Sequence, residues 1–224
     1  MTTSPLILPE HLNSLPVFPL PGVVFFPNTG LPLHIFEPRY QELVRTCLER
    51  DWPFAVVSLA PNAPPASSGR GPKLREVATA GLIVQSEPLT DGRSNILVGG
   101  VHRVRLLDEV VTDEPFRRFR AELLNDEPVE EPSAVPEHVS TLKNCLMSLQ
   151  QQMNRAGREG AFPAALFNAE DPVVLAYVLS GPMLATPARC QEMLECTSLE
   201  RRLLILIERA AELIAATAGT TQVH

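Results

Sequence analysis

The spacing of apolar positions changes once along this chain. Up to about residue 124, apolar residues come in short runs cut by proline and glycine; beyond about residue 138 they recur three and four apart. Leu15–Tyr40, LPVFPLPGVVFFPNTGLPLHIFEPRY, holds the densest mixture of apolar residues and prolines. Pro16, Pro19, Pro21, Pro27 and Pro32 each remove a backbone donor and fix φ, which excludes a continuous helix and disfavours a central strand. The pattern predicts an edge strand at Val17–Leu20, a loop at Pro21–Gly30 carrying Val23, Val24, Phe25 and Phe26, and a second strand at Leu31–Phe36. Glu37-Pro38 then opens a helix, because proline suits the first helical position. Its apolar stripe is Tyr40, Leu43, Val44, Cys47 and Leu48.

Asp51-Trp52-Pro53 ends that helix, and Phe54–Leu59 predicts a short strand buried on both faces. Ala60–Lys73 is rich in Pro, Ala, Ser and Gly and predicts a mobile loop, either a passive insertion or a binding lid. Glu76–Leu89 and Asn95–Val111 read as two strands joined by Thr90–Arg93, since Asp-Gly accepts the positive φ of a tight turn. Gly99-Gly100 predicts a bulge or sharp bend, as at a barrel corner. Arg103 and Arg105 should share one sheet face, and Phe116–Leu124 is a further strand. Asn125–Glu137, with five acidic residues and three prolines, should be extended and solvated.

Helical spacing follows. Val139, Leu142, Leu146, Leu149 and Met153 form one stripe, broken at Asn154–Gly160. Asp171-Pro172 should cap a helix through Leu179 that ends at Ser180-Gly181-Pro182, and Thr186-Pro187 one through Glu195. Thr197 and Glu200 have capping-box spacing for a helix to about Ala218. Its apolar surface, widened by Leu204, Ile205, Leu206 and Leu213, predicts sandwiching or a dimer contact. The predicted organisation is a flexible tail at 1–14, a β domain at 15–126, an acidic proline-rich linker at 127–137 and a helical domain at 138–218.

The run Phe18, Pro19, Leu20, Val24, Phe26, Pro27, Pro32, Leu33, Ile35, Phe36, Glu37, Pro38, Arg39 and Tyr40 resembles the opening of the Lon protease N-terminal, substrate-binding domain family. The Asp-Gly turn, the Gly-x-x-Arg-x-Arg-Leu strand and the C-terminal helices extend the resemblance over about Leu15–Ile214. It implies an α+β fold: an N-terminal PUA-like bent β pseudo-barrel with one helix, followed by a C-terminal all-α helical bundle. The implied function is that of a stand-alone member lacking ATPase and peptidase domains, binding unfolded or degron-bearing polypeptides or a protease acting in trans.

The net charge of −7 argues against a surface built for phosphate backbones. An RNA-binding alternative would use Arg103, Arg105, Arg117, Arg118 and Arg120, with His102 beside them. Cys47, Cys145, Cys190 and Cys196 show no metal-ligand spacing, so reduced thiols, no metal and no cofactor are expected. The N-terminus lacks a basic leader and no apolar run is long enough for a membrane span, which points to the cytoplasm. No GxxxxGK[ST] loop or GxSxG elbow occurs, and no catalytic residue is expected. Ser140 with Lys143 reads as a solvated pair, and His34, Glu37 and Arg39 as structural. Trp52 alone cannot build an aromatic cage. The binding candidate is Val23–Phe26, either tucked under the barrel or exposed as a rigid patch.

Overall fold

The computed structural model describes residues 7–61, 71–155, 157, 166 and 169–220, apart from the side chains of 218–220. The chain divides into two compact units, Met1–Asn125 and Asp126–His224.

The first unit contains α1 (Pro9–Asn13), β1 (Leu15–Pro19), β2 (Gly30–Ile35), α2 (Pro38–Arg50), β3 (Phe54–Val57), β4 (Val77–Pro88), β5 (Ser94–Val110) and β6 (Arg117–Leu123). The strand order is β2-β5-β4-β3-β1-β6, and β5 also pairs with β6. That extra pairing closes β1, β3, β4, β5 and β6 into a ring, with β2 appended to β5. Closure depends on a bend in β5. Gly81 pairs with Gly100 but Ala80 with His102, leaving Val101 as an extra residue. The double glycine thus sits at the corner it predicted.

β1 and β3 are buried on both sides by alternation. Leu15, Val17, Ala55 and Val57 join a core with Ala78, Val104, Leu106 and Phe119. Phe18, Phe54 and Val56 face a second core with Tyr40, Leu43, Val44 and Cys47 of α2. Within α2, Thr46 is buried while Leu48 is 44% exposed, so the packed face is turned slightly from the predicted stripe.

The expectation that β1 lies at an edge is wrong: it runs parallel to β3 and antiparallel to β6. Leu20 donates to the Val57 carbonyl at 2.9 Å, so even-numbered amides of β1 face β3 and odd-numbered ones face β6. The missing donor of Pro16 then points past the start of β3 at Phe54. That of Pro19 points past the start of β6 at Arg117, so neither proline breaks a ladder bond. The predicted tail also packs in part. Ile7 and His11 are buried, and the His11 ring lies 4.9 Å from that of Trp52. Residues 62–70 of the predicted mobile loop lie outside the described residues; its two ends are tied by the Leu59–Leu74 bridge and by Ala60 N–H to the Lys73 carbonyl at 2.8 Å.

The second unit contains α3 (Ala134–Arg155), α4 (Pro172–Met183), α5 (Pro187–Glu195) and α6 (Leu199–Thr220), with α6 packed on α3 and α4. α3 begins ahead of position 138 because Pro136 falls in its first turn, where no donor is needed. Asp171 caps α4, accepting from Val173 N at 2.8 Å and Val174 N at 3.3 Å. Thr186 caps α5 through Arg189 N at 3.3 Å. α4 runs on through Gly181 and Pro182, while Ser180 Oγ bonds back to the Ala176 carbonyl at 2.7 Å. The cap of α6 is Ser198, bonded to Arg201 N at 3.3 Å; the expected box partners turn instead to the preceding acidic segment, Thr197 to Glu127 and Glu200 to Glu131 N. The predicted break at Asn154–Gly160 falls largely outside the described residues. Leu206 is buried in α6 and Leu204 is 42% exposed.

Candidate functional site

The four residues of the predicted binding loop do not form one exposed patch. Phe25 and Phe26 are buried, and only Val23 and Val24 are partly exposed. The loop is held by its backbone: Thr79 Oγ1 donates to the Phe25 carbonyl at 2.6 Å, and Ser58 Oγ to that of Val23. Asn28 N–H donates to the Gly100 carbonyl and Gly100 N–H to the Thr29 carbonyl, both at 2.9 Å. The loop therefore lies on the bent part of β5, where Gly100, with Gly81 beside it on β4, leaves room for it.

The candidate arginines are occupied as well. Arg103 is 2% exposed and is not presented to solvent. Arg105 lies 3.5 Å from Glu122 and 3.8 Å from Glu76. Arg117 grips Glu109 with two bonds at 2.7 and 2.9 Å, donates to the Pro72 carbonyl and lies over the Phe119 ring. Arg118 is buried, pairs with Glu114 and donates to the Ser14 carbonyl at 2.7 Å. Arg120 pairs with Asp108. Each exposed guanidinium in this row faces a carboxylate, so the row presents little net positive charge. His102 bonds the Arg103 carbonyl at 2.8 Å.

Ser140 and Lys143 form no reactive pair, since Lys143 Nζ donates to the Ala169 carbonyl at 2.8 Å. Trp52 Nε1 is buried and has no hydrogen-bond partner among the described residues. All four cysteines are free thiols, and burial pushes the Cys47 thiol up to about 12. Among the described residues no cluster of His, Cys, Asp and Glu could hold a metal ion, and no helix is long and apolar enough to cross a membrane.

The first unit does contain a groove that the sequence reading missed. It has a volume of about 440 Å³ and lies between the end of β1, the end of β2 and the start of β6. Phe18, Tyr40 and Phe116 supply buried aromatic rings, the first two with centroids 4.3 Å apart. Phe36, 60% exposed, stands at the rim. The polar rim groups are matched in place. Arg39 meets Glu37 at 2.7 Å and lies over the Tyr40 ring, and His34 Nδ1 meets Asn95 Oδ1 at 2.8 Å. His34, Glu37 and Arg39 thus form a structural rim. Burial raises the Tyr40 hydroxyl above its usual range, so it stays protonated at neutral pH. The groove residues are drawn from positions about a hundred residues apart; only the adjacent apolar runs at Phe18–Leu20 and Ile35–Phe36 hinted at it.

A ring-closed, bent β barrel with one helix, α2, packed against a second core on its outer face, and an all-α unit following in the chain, define an α+β protein. The family of the ATP-dependent protease La (LON) substrate-binding domain matches residues 14–211, and the chain belongs to it. It is 28% identical over 191 residues to Lon protease 2 of Herpetosiphon aurantiacus, covering 84% of this chain and 22% of that protein. It is 27% identical over 203 residues to the Lon protease of Xanthomonas oryzae, covering 89% of this chain and 23% of that one. The chain thus spans less than a quarter of the length of these relatives. The fold matches the N-terminal domain of Mycobacterium avium complex Lon protease at a TM-score of 0.64 and 15% identity, over 88% of this chain and 98% of that one. It also matches a Lon N-terminal domain protein from Xanthomonas campestris at a TM-score of 0.60 and 20% identity, over 87% and 97%.

Proposed function

We propose that this chain is a non-catalytic polypeptide-binding protein of the cytoplasm that holds unfolded or degron-bearing clients in the groove of its β unit and presents them to a protease acting in trans. The observation that carries this reading is the groove itself: aromatic rings below, an exposed phenylalanine at the rim, and rim charges already matched to one another. Such a surface favours uncharged apolar side chains, the groups that an unfolded chain exposes. Membership in a family described as substrate-binding agrees with it. Among the described residues, the lining side chains include no serine, cysteine or lysine to act as nucleophile, which fits holding rather than cutting. The RNA alternative draws no support from arginines paired with carboxylates.

Fluorescence anisotropy of labelled, reduced casein titrated with the purified chain tests the reading. Phe36→Ser is expected to weaken binding roughly tenfold, about 1.4 kcal/mol, with the thermal midpoint unchanged. Unchanged affinity in that variant, or cleavage of casein by the chain alone, would count against it.

A further inference from the structure

Five consecutive residues of β1 and its extension, Val17–Pro21, line the groove, as do five around the end of β2, Pro32–Phe36. A groove lying over one face of a sheet would be lined by every second residue. Lining by odd and even positions alike means that this one runs along the edge of β2 and along the end of β1 beyond Val17, where β1 has outrun β6 and keeps only β3 beside it.

The β2 edge is open. β2 stands at the end of the strand order, with β5 as its one partner among the described residues. Its hydrogen-bonding direction follows from its neighbours. Gly100 N–H donates to the Thr29 carbonyl, and the register sets Leu31 opposite Val98, Leu33 opposite Ile96 and Ile35 opposite Ser94. In an antiparallel ladder, bonded and non-bonded pairs alternate. The odd-numbered residues of β2 therefore exchange bonds with β5, and Gly30, Pro32 and His34 turn their peptide groups away from it. Two observations agree. His34 and Asn95 form a non-bonded pair close enough for their side chains to meet at 2.8 Å. Pro32, which has no N–H to give, sits where none is needed. Across the groove Pro19 has no donor either, so the amides available to a ligand are those of β2.

We infer that the groove takes its polypeptide as an added β-strand along the free edge of β2, with every second side chain of the bound segment directed to the aromatic rings. This rests on the functional reading above and specifies the form in which the client is held. The edge offers N–H groups at Gly30 and His34 and carbonyls at Gly30, Pro32 and His34. Main-chain bonding of this kind supplies affinity with little regard to sequence, while the aromatic floor asks for large apolar residues at alternate positions. Because Glu37–Arg39 and His34–Asn95 are matched within the protein, the bound segment needs no charge. The missing donor at Pro32 leaves one acceptor of the bound strand unmet, which keeps the edge from pairing indiscriminately. The groove volume suits a few side chains, so the occupant is an extended segment and not a folded domain.

The test uses the unaltered chain. Overlapping short peptides of casein are screened for binding, and the tightest is resynthesised with N-methyl groups at successive single amides. Strand addition predicts an alternation: methylation at every second amide weakens binding roughly five- to tenfold, the loss of a main-chain bond plus the clash, while the intervening amides tolerate it. Hydrogen exchange at Gly30 and His34 should slow in the complex. Equal tolerance at all amides, or protection that avoids β2, would overturn strand addition while leaving polypeptide binding standing. Failure of every casein peptide to bind would remove both.

Discussion

The carbonyl oxygen of Phe26 occupies the space in which a side chain at Gly100 would begin; a Cβ there would overlap it and stand 3.1 Å from Phe25 Cζ. The obstructing oxygen is backbone, held by the bonds of the neighbouring Asn28 and Thr29 to Gly100, so it cannot swing aside. Gly100→Ala should destabilise the β unit by about 3 kcal/mol, at the upper end of overpacking effects. Urea denaturation followed by tryptophan fluorescence reads this directly through Trp52. Gly22→Ala, at φ 71° with open space around it, should lose only about 1 kcal/mol through backbone strain.

Phe25 is a core residue at 4% exposure, packed with Phe18, Ile35 and Val98. Phe25→Ala should lower stability by about 3–5 kcal/mol. Any fall in client binding should then track the unfolded fraction, as determined by measuring both in the same urea series.

Asp171 holds two amides at the start of α4. Asp171→Ala should cost about 1 kcal/mol, and Asp171→Ser should recover most of it. Thermal unfolding followed by circular dichroism at a helix-sensitive wavelength would show both.

Burial holds the Cys47 thiol at about 12 against an ordinary 9.0. The folded state therefore prefers the protonated thiol more strongly than the unfolded state does. The stability that this contributes is complete below pH 9 and is lost as pH rises from there toward 12. Cys47 should resist a thiol reagent at pH 8 in the native chain and react once denaturant is added, which peptide mass mapping would show. Cys47→Ala should flatten that alkaline limb of the stability profile.

The sequence made local features readable where one or two residues carry the physics. The Asp91-Gly92 turn, with Leu89 N–H bonded to the Arg93 carbonyl at 2.8 Å, is one. The caps at Asp171 and Thr186 and the bend at Gly99-Gly100 are others. Features set by what lies opposite were hidden. Whether Pro16 and Pro19 force β1 to an edge depends on where β3 and β6 begin. Whether Val23–Phe26 is exposed depends on glycines more than fifty residues away. Arg103 and Arg105 alternate correctly, yet one is buried and the other sits among carboxylates. The groove joins Phe18, Phe36 and Phe116, and no periodicity links such distant positions.

The seventeen residues of β5 border β2, β4 and β6. Detaching this one strand would dissolve three ladders together, so no smaller piece of the barrel has an independent melting equilibrium. Its central amides should be the last to exchange with solvent deuterium, and the opening of the whole unit should set their rate. Fraying of α1 or at the free side of β2 can proceed without it. The edge proposed to meet a client is then the part free to yield, anchored to a strand that gives way only when everything does.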